Sequence, residues 1–363
     1  MRIKSAFVMI ILLLQVSSFA QFPVAGAVYT STNSPSSNAV VVMNRYADGT
    51  LSNGVLFATG GLGTGAGLSN QGGVILSDDQ RWLLVVNAGS DDVSVFAVNH
   101  SDVSLVDRRP SGGDRPVSVA VYKDVVYVLN AGAANNISGF RLSNKGILTA
   151  IPGSTRNLSG PNVGAAQVSF NPAGDALLVT ERATNMLDVY SVDTDGVAQG
   201  PTVYPSSGTT PFGFAFGKRD QVFVSEAFAG AANASAASSY SLSSGSLTVI
   251  DGSVTTTETA ACWVVVSSDG RFAYTANAGS ASISGFRVSI DGHLELLDVD
   301  GRTGVTAGGN PTDMAMSGNG RYLYALQGGS GRIAAFSIGA DGSLSAIAGA
   351  TGLNTGLNGM AAR

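Results

Sequence analysis

One pattern recurs seven times along this chain. Its plainest copies are 84–96 (LVVNAGSDDVSVF), 128–140 (VLNAGAANNISGF) and 273–286 (AYTANAGSASISGF), and looser copies fall at 28–43, 177–190, 222–240 and 323–336. Each is an apolar strand, a short turn (Asn-Ala-Gly in the plainest copies), and an alternating strand that in most copies ends on an aromatic residue. Self-similarity at this period means an array in which no unit buries its apolar faces alone.

The sixth repeat shows the full unit. Residues 263–267 form a short apolar run, as expected of a strand enclosed on both faces. Ser268-Asp269-Gly270 is a turn, and 271–277 is a second strand. Residues 283–290 alternate apolar and polar, the mark of a half-buried strand. Asp291-Gly292 is a hairpin signal, and 293–299 is the outermost strand. Helical periodicity is absent after the N-terminal segment. The expected fold is therefore all-β: a seven-bladed β-propeller with four antiparallel strands per blade. The first repeat lacks an innermost strand, and the tail at 358–363 resembles the innermost strand of the seventh. The C-terminal strand should complete the N-terminal blade and close the ring, which removes open sheet edges between blades.

Residues 1–20 read as a signal peptide: Arg2 and Lys4, an apolar core at 6–14, and Ser18-Phe19-Ala20 before the cleavage point. A secreted, periplasmic or extracellular protein is expected, with residues 21–363 as one propeller domain. The remaining 343 residues give 49 per repeat, and loss of two basic residues moves the formal charge from −5 to −7. That acidity argues against a nucleic-acid partner, and no later apolar run is long enough to span a membrane. A monomer is expected. The single cysteine, Cys262, excludes an internal disulfide and reads as a small buried hydrophobe. With two histidines, both in hairpin regions, neither a three-His zinc site nor a Ser-His-Asp triad at the channel is available, and no metal or cofactor is expected. Gly60–Gly65 (GGLGTG) lacks the Lys-Ser/Thr ending of a phosphate loop and reads as a flexible connection between blades. Four Asn-x-Ser sequons stand at Asn99, Asn136, Asn157 and Asn233.

The Asn-Ala-Gly turns, the Ile/Val-Ser-Gly/Val-Phe strands and the Asp-Gly hairpins resemble the superfamily of bacterial 6-phosphogluconolactonases and fungal 3-carboxymuconate cyclases, which are seven-bladed propellers. The resemblance spans the mature chain and implies a lactonase-like activity at one mouth of the central channel. Of the family's polar cluster there, Ala166 stands where a His would open an inner strand. Asn185-Met186 replaces Asp-Arg, Ala276-Asn277-Ala278 replaces Ser-Asn-Arg, and Glu226 alone is kept.

In a propeller, the connectors entering the inner strands and the turns between second and third strands share one face. The polar candidates there are Arg115, Glu181, Arg182, Glu226, Glu258 and Asp313, with the amides Asn87, Asn130, Gln167, Asn277 and Asn358. Glu181 and Glu226 hold corresponding places in adjacent blades. If their carboxylates met, environment could split them into acid and base. Arg115 and Arg182, with Gln167 and Asn277, would then hold an anionic substrate. The same Glu and Arg residues also suit ion pairs that tie blades together. Two readings follow: a secreted lactonase-like enzyme hydrolysing or forming a lactone of an acidic substrate, or a non-catalytic binding module for a carbohydrate, peptide or protein. Whether the chain is an enzyme stays open at this level.

Overall fold

The computed structural model describes residues 22–133 and 135–363, so residues 1–20, expected from the sequence to be a signal peptide, lie outside the described residues. Seven four-stranded antiparallel sheets stand in a ring, in two of which the outermost strand is made in two pieces. The only helical segments among the described residues are two single 3-10 turns, Phe228–Gly230 and Gly328–Ser330. The ring is closed as the sequence predicts. Asn358–Ala362 forms the inner strand of the first blade beside Val24–Ser31, pairing Ala361 with Tyr29 and Met360 with Thr30. Met360 packs with the core shared with the seventh blade, and Ala361 with the core facing the second. Ser31 Oγ donates to the Asn358 carbonyl at 2.8 Å, and Arg45 Nε to the Arg363 carbonyl at 3.1 Å.

The hairpins also join blades. Tyr127, Tyr274 and Tyr324 lie buried at the centre of second strands, and each hydroxyl donates at 2.8 Å to a glycine carbonyl in the next blade's last hairpin: Gly196, Gly342 and Gly49. A buried phenol needs a partner, and these tight hairpins bring a free carbonyl within reach. Burial raises the pKa of all three hydroxyls.

The outermost strand of the sixth blade is not the continuous 293–299 expected. It forms as Leu294–Leu296, leaves the sheet, and returns as Gly304–Val305, both pieces pairing with Ser282–Val288. The cause is Gly285, whose N–H takes the Thr303 hydroxyl at 2.8 Å in place of a ladder partner. The third blade repeats the device, with Gly139 N–H donating to Ser154 Oγ at 3.0 Å. A Cβ on Gly139 would stand 2.8 Å from the Tyr127 ring, so the Ser-Gly-Phe motif marks where the outer strand breaks.

The connector from the first to the second blade is not a loose link. Gly63 and Gly65 donate their N–H groups to Ser34 and Asn33 carbonyls at 2.7 and 2.8 Å, and a Cβ on Gly63 would lie 2.1 Å from the Asn33 carbonyl carbon. From there residues 68–73 cross the central channel as a plug. Asn70 accepts from Trp263 Nε1 at 2.8 Å and donates to the Val117 carbonyl, and Asn358 Nδ2 donates to its side-chain oxygen. The Gln71 N–H donates to Ala166, while its side-chain amide clamps both the N–H and the carbonyl of Val264, at 3.0 and 2.7 Å. The Val119 N–H donates to the Gly72 carbonyl at 2.9 Å. The plug therefore bonds to four blades besides the second, which it enters, and divides the channel into two chambers.

Candidate functional site

Six second strands end on a buried amide or carboxyl residue, Asn87, Asn130, Glu181, Glu226, Asn277 and Gln327, and the first blade's ends on buried Ser31. Strand alternation aims these side chains into the blade, where most of them hold the connector that enters it. Asn130 Nδ2 donates to the Ser111 carbonyl at 3.3 Å, and Gln327 Nε2 to Gly309 at 2.6 Å. Glu226 accepts from the Gly208 N–H and the Ser253 hydroxyl, each at 2.7 Å, and from Ser238. Glu181 accepts from the Ser159 N–H at 3.0 Å, its hydroxyl at 2.6 Å and Thr184 at 2.5 Å. The two glutamates are fully buried, each in its own blade, and share no hydrogen-bond partner among the described residues. They are not turned toward one another at the mouth.

Glu181 has a different carboxyl neighbour. Asp188, buried on the adjacent strand, accepts from the same Ser159 N–H at 3.1 Å. Its pKa is pushed up to about 8, by burial first and then by Glu181. Alternation along a hairpin puts both residues on one face of the sheet, a signal legible in the sequence but not used there.

Gln167 and Asn277 are likewise engaged internally. Gln167 clamps the Phe214 N–H and carbonyl at 2.7 and 2.9 Å, joining the inner strands of the fourth and fifth blades. It lines the chamber on the opposite, hairpin face, a cavity of about 600 Å³ also walled by Gln71, Tyr122, Phe170 and Phe216. Asn277 donates to Ser282 and Ser284 at 3.0 and 2.9 Å. Among the sequons, Asn136 is buried and accepts from Asn130, whereas Asn99, Asn157 and Asn233 are exposed.

The arginines behave differently. Arg115 is exposed, with its backbone held at φ 55° by Asp91, whose carboxylate accepts its N–H at 2.7 Å. Arg182 is half-buried. Its Nε donates to the Gly164 carbonyl at 3.1 Å and its guanidinium lies 5.3 Å over the Phe212 ring. Burial lowers its pKa, and the Arg115 charge adds to that effect. Neither guanidinium forms an ion pair with a carboxylate among the described residues.

Phe212 is also a wall of the connector-face chamber, a cavity of about 420 Å³ whose other sides include Leu68, Cys262, Trp263, Thr312 and Leu357. The plug forms its floor. Burial pushes the Cys262 thiol up to about 12, so it is a neutral wall rather than a nucleophile at neutral pH. No group of three or more metal-ligating His, Cys, Asp or Glu side chains occurs among the described residues. Sequence reasoning missed Phe212, Trp263 and the plug, because their neighbours come from other blades.

Comparison with known proteins gives the same fold. Residues 35–152 match the family described as lactonase, 7-bladed beta-propeller. A protein from Lactobacillus plantarum superposes with a TM-score of 0.76 at 18% identity, over 94% of this chain and 100% of that one. The periplasmic gluconolactonase of Pseudomonas aeruginosa superposes with a TM-score of 0.70 at 16% identity, over 92% of this chain and 98% of that one. At these identities the likeness is one of fold. A search of the curated proteins finds no match. The matched stretch and the closed ring of seven blades agree on the architecture: the chain has the seven-bladed propeller fold, and residues 35–152 are similar to the lactonase family of that fold.

Proposed function

We propose that this protein is exported and binds a small organic anion of the sugar-acid type in the connector-face chamber. The supporting observation is Arg182, a half-buried guanidinium without a carboxylate partner among the described residues, beside a second guanidinium unpaired among them, Arg115. Partial burial of an unpaired cation is unfavourable, and an incoming carboxylate relieves it with charge-assisted hydrogen bonds. Trp263 and Phe212 offer apolar faces for the ligand's body. Catalysis through Glu181 and Glu226 is the less favoured reading, since both are buried and supplied with donors inside their blades. Lactone turnover remains the second reading, favoured by the lactonase match over residues 35–152.

Calorimetric titration with D-gluconate, and a hydrolysis assay with glucono-δ-lactone, separate the two. Arg182→Ala should weaken gluconate binding by about tenfold or more, the loss expected of one charge-assisted contact. Gly329→Trp should do the same without unfolding the protein, because a Cβ on exposed Gly329 meets nothing within 4 Å while Gly329 borders the chamber. Unchanged affinity in both variants would remove the chamber as the site. Lactone turnover lost in a folded Glu226→Gln variant would make the protein an enzyme.

A further inference from the structure

Two buried carboxyl groups converge on one backbone N–H in the fourth blade. Glu181 ends the second strand, Asp188 lies in the third, and both accept from Ser159. The other donors to Glu181 are neutral hydroxyls, Ser159 and Thr184. Asp188 Oδ1 has no hydrogen-bond partner. The residues opposite Asp188 on its two flanking strands are Val179 and Val203. The remaining titratable neighbour is Tyr190, whose hydroxyl donates a hydrogen bond to the Asn157 carbonyl at 2.9 Å. Among the described residues, no lysine, arginine or histidine forms an ion pair with either carboxyl group. Two such groups cannot both be ionised at close range in a dry site.

Ser159 opens the connector 159–164, and the far end of that connector positions the mouth. The Gly164 carbonyl accepts both the backbone N–H and Nε of Arg182, each at 3.1 Å, and Val163 accepts from the Ala183 N–H at 2.9 Å. The carboxyl pair thus holds one end of the segment on which the guanidinium rests.

We propose that Glu181 and Asp188 form a proton-dependent latch: sharing one proton, they hold the connector down and Arg182 at the mouth, and on losing it they release both. The proposal rests on reading Arg182 as the ligand's partner. Its direction follows from burial and from Glu181, which hold the Asp188 proton to about pH 8. An unfolded Asp releases its proton near pH 4. Folding therefore takes up a proton between these values, and the latch's stabilisation declines as pH rises through the folded value.

Two readouts test it in the full-length mature protein between pH 6 and 9.5. Hydrogen-exchange protection of residues 159–164, corrected for the intrinsic effect of pH, should fall about tenfold in the parent and stay level in Asp188→Asn, a tenfold change being one unit of coupling. The dissociation constant for D-gluconate should rise about tenfold in the parent and less than about twofold in the variant. Should Asp188→Asn fail to fold, Glu181→Gln removes the same second charge. Parallel loss in parent and variant, or no loss in either, overturns the latch. Restoration of protection at pH 9.5 by 1 mM calcium also overturns it, since the pair would then be a cation site. Absence of gluconate binding at every pH would count against the reading of the mouth, while the exchange data would still judge the connector.

Discussion

Deleting residues 358–363 should lower the melting temperature by at least about 10 °C or leave the protein insoluble. The tail is the inner strand of the first blade, and its side chains enter two cores at once. Burial of Met360 alone is worth about 1.5–3 kcal/mol. The ladder to Val24–Ser31, the Ser31 hydroxyl bond and the Arg45 contact to the terminal carbonyl are lost with it, at about 1 kcal/mol each. The larger consequence is geometric. An open ring exposes the inner faces of its neighbours and a free strand edge, which favours aggregation. Differential scanning calorimetry with size-exclusion chromatography reads both effects. A truncated protein that melts within about 2 °C of the parent and elutes at the same volume would refute closure by this strand.

Gln71→Ala should cost about 3 kcal/mol although the residue lies in a connector rather than a strand. One side-chain amide satisfies both the N–H and the carbonyl of Val264 on the far side of the channel. Truncation leaves two buried backbone groups unpaired, at about 1–3 kcal/mol each before water enters. Gly213→Val tests the same contact from the other side, since a Cβ there would stand 2.0 Å from Gln71 Oε1 and 2.6 Å from the Cys262 carbonyl. Both variants should melt lower in denaturant titrations and give both chambers access to each other. If Gln71→Ala unfolds at the parent's midpoint, the plug contributes nothing to the ring.

The repeat was legible in the chain because its signals are local. The apolar run at 272–277, the alternation at 282–288, the turn between them and the Asp291-Gly292 hairpin each act over a few residues. The missing inner strand of the first repeat, with a spare one at the tail, pointed to closure by simple counting. The site was less legible. Glu181 and Glu226 are polar residues at strand ends, and their positions in the repeat do not say whether the side chains turn outward to the mouth or back into the blade. The entering connectors decide that, by offering the Ser159 and Gly208 N–H groups as donors. Gln167, expected at the mouth, is instead spent on the Phe214 backbone across a blade boundary.

The amino-acid sequence by itself determined the strand order, the number of blades and the manner of closure, because turn chemistry and side-chain periodicity act between near neighbours. Only the tertiary structure decided which polar groups remain free. Arg182 is left unpaired among the described residues, Gln167 is spent on Phe214, and residues 68–73 seal the channel, through contacts between segments up to 288 residues apart. Hydrogen-bond satisfaction in a buried interior is settled by what the ring brings together, and no local pattern encodes it.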